Sequence, residues 1–194
     1  MSRPANCASA AISRWRHVVA LALLVTLPLA AQTATEHPLP ADPPTSPDTL
    51  IPVAQRKAVP NYALTDSDGK TFTLANTKGK VVILNFWATW CGGCKFELPY
   101  FVGYDQKYRL QGLTTLGISM DDGGFPAVKP FWMQKHMPYP TVVGNEALAN
   151  SLGLKGMPFT LLIDRQGRVA VAHAGVLDRK DFDQHIQQLL QSNK

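Results

Sequence analysis

Two cysteines three residues apart, Cys91 and Cys94, stand between a short apolar β-branched run, Val81-Val82-Ile83-Leu84, and a segment with a helical apolar period. Such a run suits a strand covered on both faces. From residue 94 to 110, Leu98, Phe101, Tyr104 and Tyr108 recur at three- to four-residue spacing, which predicts a helix with one buried stripe. Cys91 is thereby placed at a strand-to-helix junction, where unpaired N–H groups and the positive end of the helix dipole stabilise a thiolate. The C-x-x-C spacing puts the sulfurs within one turn, close enough to bridge reversibly, so a Cys91–Cys94 redox disulfide is expected. Half of a zinc site is the structural alternative. It needs four ligands, and no second cysteine pair exists, so no metal site is expected.

The full run, Asn85-Phe86-Trp87-Ala88-Thr89-Trp90-Cys91-Gly92-Gly93-Cys94 with Glu97 and Pro99 following, resembles the hallmark of the exported TlpA/ResA-like thiol-disulfide oxidoreductases of the thioredoxin superfamily. The likeness covers roughly the last two thirds of the chain. It implies an α/β, thioredoxin-like fold: a central mixed, mostly parallel sheet flanked by helices, with an N-terminal β-hairpin and a central insertion.

The chain has 194 residues, enough for one domain plus extensions, and its 45% hydrophobic content is ample for a core. Residues 1–31 read as a signal peptide: Arg3, Arg14 and Arg16 precede an apolar run closed by Pro28 and small residues. That run of about 14 residues is shorter than the roughly 20 a membrane helix needs. Cleavage is expected near Ala31 to Ala34, and an uncleaved N-terminal anchor is the alternative. Removing Arg3, Arg14 and Arg16 from 19 basic residues against 14 acidic ones lowers the net charge from +5 to +2, and Cys7 leaves with them. The basic balance therefore belongs mostly to the export signal, and no nucleic-acid partner is implied.

Residues 32–60 carry prolines at 38, 40, 43, 44, 47, 52 and 60 and read as an extended tether without a core, with the domain starting near Asn61. Residues 62–65 and 71–74 flank a turn at 66–70 and predict the hairpin. A second buried strand is expected over 113–120, parallel to the first across a helical crossover. Then come a helix over 125–137, a short strand at 141–143, a helix over 146–152, a strand pair at 159–164 and 168–174, and a last helix capped by Asp178. Asp121 and Asp122, before Gly123-Gly124, are assigned to a solvated turn rather than a metal site.

Thiol-disulfide exchange needs one accessible low-pKa thiol and a second poised to resolve the mixed disulfide. Cys91 is assigned the first role and Cys94, one turn inside the helix, the second. Glu97 shares a helix face with Cys94. The resemblance implies that it sits near the sulfurs and handles the proton Cys94 must lose, with burial raising its pKa toward neutrality. An exposed helix-surface glutamate is the alternative. Asn85 stands where thioredoxin has a buried aspartate, which leaves Glu97 as the nearby proton acceptor. Pro158 matches the cis-proline facing the disulfide in the superfamily, with Met157 offering its backbone to a substrate strand. Trp90, Gly92, Gly93 and Met157 are the expected substrate contacts, while Trp87 is assigned to the core. Gly92-Gly93 departs from the proline-containing pair of many relatives. His136 and His173 have no partner at metal spacing and are assigned to surface or strand-end positions.

The resemblance implies an exported, periplasmic reductant of protein disulfides with no bound cofactor, supplied with electrons by a membrane donor of the DsbD/CcdA kind, with cytochrome c or copper-centre cysteines among the substrates. The CcmG-type pattern Gly-x-x-Gly-Ala-Pro-Glu is replaced here by Gly156-Met157-Pro158-Phe159-Thr160. A histidine between the cysteines, which stabilises the thiolate of DsbA-type oxidants, is absent, and Glu97 adds negative charge near the pair; both favour the disulfide and hence a reducing role. Two other functions use the same thiols. A Cu(I)-delivery module would bind the soft thiolates with Met157. A peroxiredoxin-like peroxidase would need Pro-x-x-x-Thr-x-x-Cys, but Thr89 lies only two residues before Cys91.

Overall fold

The structure is a computed structural model that describes residues 49–66 and 68–192. The expected signal peptide, Cys7 and the first part of the tether lie outside the described residues. Strands β1 (Ala63–Thr65) and β2 (Thr71–Thr73) pair antiparallel, joined by a turn in which the Asp66 side chain accepts the Asp68 and Lys70 N–H groups. This is the expected hairpin. A 3₁₀ turn at Leu74–Thr77 leads into β3 (Val81–Trp87), every residue of which is buried, as the apolar run over 81–84 predicts, with Asn85 the one polar residue among them.

Helix α1 (Gly92–Tyr108) follows, with Cys91 as its N-cap and Pro99 inside it. Its inward stripe of Leu98, Phe101, Tyr104 and Tyr108 is buried against the sheet. Each such side chain contributes roughly 1.5–3 kcal/mol by leaving water. Gly112, in the left-handed region at φ 101°, turns the chain into β4 (Leu113–Ser119), which runs parallel to β3. The insertion holds α2 (Gly124–Gln134) and the short β5 (Thr141–Val143), parallel to β4. Helix α3 (Glu146–Ser151) is capped by the Asn145 side chain, which accepts the Leu148 N–H. Strands β6 (Phe159–Ile163) and β7 (Val169–Ala174) form an antiparallel pair. Helix α4 (Arg179–Gln191) closes the chain, capped by Asp178 as expected, with Phe182, Ile186, Leu189 and Leu190 buried.

The five-stranded sheet has the order β5-β4-β3-β6-β7, with β6 antiparallel to both neighbours, so the expected mixed sheet is present. Odd-numbered β3 residues Val81, Ile83 and Trp87 face α1, α2 and α4, while Val82, Leu84 and Phe86 face α3 and the hairpin. Helices thus cover both faces, and the centre of the sheet delivers its C-terminal edge to the cysteines.

The expected free tether differs in its last part. Residues 49–60 lie along the domain: the Ile51 N–H donates to the Ala170 carbonyl, the Val59 N–H to that of Gly167, and the Val169 N–H to that of Lys57. Arg56 binds the Ile51 carbonyl through Nε and Asp164 through a guanidinium nitrogen at 3.2 Å. Leu50 and Val59 pack on the two opposite cores. Proline content suggested an uncommitted chain, but extended backbone is also what adds to a sheet edge, and the β6–β7 end offers one.

Candidate active site

Cys91 and Cys94 are joined as a disulfide, their Cα atoms 5.3 Å apart. The Cys91 sulfur accepts the Cys94 N–H at 3.1 Å, so it occupies the position of an N-cap oxygen and lies in the field of the helix start. Cys91 is 6% exposed and Cys94 1%, so the first sulfur is the one nearer to solvent although neither is open. Trp90, 65% exposed, stands beside Cys91, and Trp87 is fully buried in the core.

The two glycines between the cysteines are unlike. A Cβ on Gly92 would meet no described atom within 4 Å, whereas one on Gly93 would lie 3.1 Å from the Pro158 ring and 3.2 Å from the Val176 side chain. Gly93 thus fits closely beneath the loop that carries Pro158. The Met157–Pro158 peptide bond is cis, Pro158 is buried, and its carbonyl accepts the Gly175 N–H at 2.8 Å. Met157 is partly buried against the core on the α1 side.

Glu97 is fully buried, not the exposed helix-surface residue of the alternative. One carboxyl oxygen, Oε1, accepts the Leu177 N–H at 2.7 Å, and Oε2 meets no hydrogen-bond donor among the described residues. Burial raises its pKa to about 7, against the lowering influence of the Leu177 N–H and of the charge on His173. Asn85, on the same face of the sheet, donates from Nδ2 to the Thr160 hydroxyl at 3.3 Å.

Two sequence assignments change. Asp121 is not solvated: it is 6% exposed and accepts the Thr89 N–H at 3.0 Å, the Thr89 hydroxyl at 2.6 Å and the Ser119 hydroxyl at 2.7 Å. Emerging from the end of β4, it meets the neighbouring loop that leads to Cys91. Asp122 is exposed, as expected. His173 lies at a strand end, next to last in β7, but it is buried rather than on the surface, because its alternation with Val171 points it toward α1 and α4. That alternation was readable in the sequence. No local signal marked residues 175–177, which supply the Gly175 and Leu177 N–H groups and the Val176 methyl to the site. His136 is exposed. Among the described residues no cluster of His, Cys, Asp or Glu is arranged to hold a metal.

The Redoxin family model matches residues 54–188, spanning the hairpin, the cysteine pair, the Pro158 loop and most of α4. The chain belongs to the Redoxin family. Among its curated relatives, the thiol-disulfide oxidoreductase ResA of Bacillus thuringiensis subsp. konkukian is 32% identical over 135 residues, covering 69% of this chain and 77% of the relative. ResA of Geobacillus thermodenitrificans is 30% identical over 138 residues, covering 71% and 79%. A crystal structure of a putative thiol:disulfide interchange protein DsbE from Chlorobium tepidum superposes with a TM-score of 0.66 at 29% identity, covering 70% of this chain and 96% of the other. A secreted thiol-disulfide isomerase from Corynebacterium glutamicum shares the fold, with a TM-score of 0.69 at 24% identity over 78% of this chain and 96% of the other. This Redoxin-family chain is a thiol-disulfide oxidoreductase of thioredoxin type, with Cys91 and Cys94 as its cysteine pair.

Proposed function

We propose that the protein is exported to the periplasm and reduces disulfides in other proteins of the cell envelope, cytochrome c or copper-centre cysteines among them, drawing electrons from a membrane donor. The observation that carries this reading is the buried carboxyl of Glu97 on the α1 face that holds Cys94, behind a disulfide whose first sulfur caps the helix. In the dithiol form, the Cys91 thiolate, stabilised by the first turn of α1, attacks one sulfur of the substrate disulfide and releases the other as a thiolate. Cys94 then gives its proton to Glu97 and attacks Cys91. A Cys91–Cys94 bond forms, the bond to the substrate breaks, and two electrons have passed to the substrate, whose thiolates take up protons.

A group that accepts a proton near neutral pH suits this second step. Trp90 and the backbone at Met157 flank Cys91 and Pro158 and form the docking surface, with Gly92 leaving space open to the approaching chain and Gly93 packed beneath Pro158. The export reading rests on the basic and then apolar N-terminal sequence. Among the described residues no helix is long and apolar enough to cross a membrane.

Expression of Cys94→Ala in the native host tests the proposal. Mixed disulfides on Cys91 should accumulate and contain envelope proteins with paired cysteines, and a companion Cys91→Ser change should abolish them. Adducts confined to cytoplasmic proteins would reject the envelope assignment, and adducts that persist without Cys91 would reject its role as nucleophile.

A further inference from the structure

The sheet face beneath α1 is largely apolar on the β3, β6 and β7 side apart from one row, while β4 and β5 place Thr115, Ser119 and Thr141 on the same face further out. Val81, Ile83 and Trp87 of β3, Leu162 of β6 and Val171 of β7 belong to a single hydrophobic cluster with Cys94, Leu98 and Phe101. Across the same face the register aligns Asn85 with Thr160 and Thr160 with His173, placing an amide, a hydroxyl and an imidazole side by side on three adjacent strands. All three are buried, at 1%, 1% and 6% exposure. Polar groups removed from water carry a desolvation cost, which the Asn85 amide and the Thr160 hydroxyl offset in part with each other at 3.3 Å.

Glu97 belongs to the same neighbourhood. Strand β7 ends with His173 and Ala174 and continues directly to Leu177, whose N–H holds Glu97 Oε1. His173 and the anchor of Glu97 are therefore four residues apart on one short piece of chain, tied to the Pro158 loop through the Gly175 N–H. The titratable groups from the packed elements are few. Helix α1 contributes Cys94, its N-cap Cys91 and, further along, the buried Tyr104 and Asp105; β7 contributes His173, and β3 and β6 present only the neutral Asn85 and Thr160. Residues 175–177 add backbone N–H groups, and from the start of α4 the Arg179 guanidinium stacks 5.6 Å from the Tyr100 ring.

We propose that His173 is a positioning residue for thiol-disulfide exchange, its imidazolium holding Glu97 in the carboxylate form that accepts the Cys94 proton. The inference rests on Glu97 being that acceptor. A positive charge beside the buried carboxyl opposes the desolvation that would keep it protonated, so the proton-accepting form is populated at lower pH than burial alone would permit. His173 touches neither sulfur in this role and transfers no electron. It sets how much of the protein can start the resolving step, in which the Cys94 proton moves to Glu97 as the Cys94–Cys91 bond forms and the substrate sulfur leaves.

Single-turnover reduction of insulin by the dithiol protein, measured from about pH 5.5 to 8.5, tests the role in wild type, His173→Gln and Glu97→Gln, with circular dichroism to verify folding. Wild type should show the ionisation of the Cys91 thiol and a second ionisation that raises the rate, and Glu97→Gln should lose the second. His173→Gln should keep it but displace it to higher pH, lowering the rate at pH 6.5 by about tenfold while the rates converge at high pH. A His173→Gln midpoint unchanged from wild type, or displaced to lower pH, would overturn the inference.

If the second ionisation persists in Glu97→Gln, the acceptor role of Glu97 fails instead, and the two failures are told apart. A second measurement requires neither activity nor a folded His173 variant. The imidazole signal of His173 is titrated by NMR in wild type and Glu97→Gln, and because the coupling is reciprocal the variant must titrate at lower pH. Superimposable curves would refute the pairing of the two groups.

Discussion

Glu97 couples folding to pH because its carboxyl is neutralised by burial in the native state and is free in the unfolded chain. Its pKa rises from 4.5 to about 7 on folding, so between those values the native state holds the extra proton. Stability therefore falls as pH rises through this window and levels off above it, by up to about 3 kcal/mol. Urea unfolding of the oxidised protein at pH 5 and pH 8 should show this loss, and Glu97→Gln, which retains an acceptor for the Leu177 N–H, should abolish most of the difference. An equal pH dependence in the variant would assign the effect to another group. A second residue-scale outcome concerns the two glycines. Gly93→Ala must push aside the Pro158 ring and the Val176 methyl, both closer than 3.4 Å, whereas Gly92→Ala enters open space. Gly93→Ala should lower insulin-reductase activity severalfold, and Gly92→Ala should stay within about twofold of wild type; the reverse order would show that the loop does not pack as described.

At the scale of elements, the loop between β3 and α1 is held from the side by β4. Its Thr89 gives both its N–H and its hydroxyl to Asp121, which also accepts from Ser119, and the Met120 N–H donates to the Trp87 carbonyl at 2.8 Å. Two parallel strands thus end in a cross-link just before Cys91. Asp121→Ala leaves three donors without their acceptor and should cost about 3 kcal/mol, with a change in the fluorescence of the exposed Trp90 as its loop loosens. A loss below about 0.5 kcal/mol would mean that water replaces the side chain without penalty. The insertion braces the same region from the opposite side: Phe131 of α2 lies 5.4 Å from the Trp87 ring, with Lys95 and Lys135 near its face. The succession of strands and helices was legible because apolar period and turn residues are local. The cross-link was not, since Thr89 and Asp121 are 32 residues apart and an Asp-Asp-Gly-Gly string reads as an exposed turn.

For the whole molecule, the domain begins upstream of the hairpin. Residues 49–60 add backbone hydrogen bonds at the β6–β7 end, a buried Arg56–Asp164 ion pair and apolar contacts from Leu50 and Val59. Deleting residues 1–60 leaves Asp164 with Arg168 as its remaining ion-pair partner and should destabilise the protein by at least about 3 kcal/mol, whereas deleting residues 1–48 should leave those contacts intact. Urea midpoints of the two truncations decide it, and equal values would restore the reading of a free tether. Legible in the residues alone were a doubly covered strand running into an amphipathic helix at Cys91, a second cysteine one turn later, and the remaining elements of a thioredoxin-like sheet. These properties depend on periodicity and on neighbours within a few residues. Three features depend on distant parts of the chain: Glu97 is buried against Leu177, 80 residues away, His173 faces inward in line with Thr160 and Asn85, and residues 49–60 dock on the domain. Each depends on strand register and on which surfaces meet, and a side chain's charge, burial and partners exist only after distant parts of the chain have been brought together.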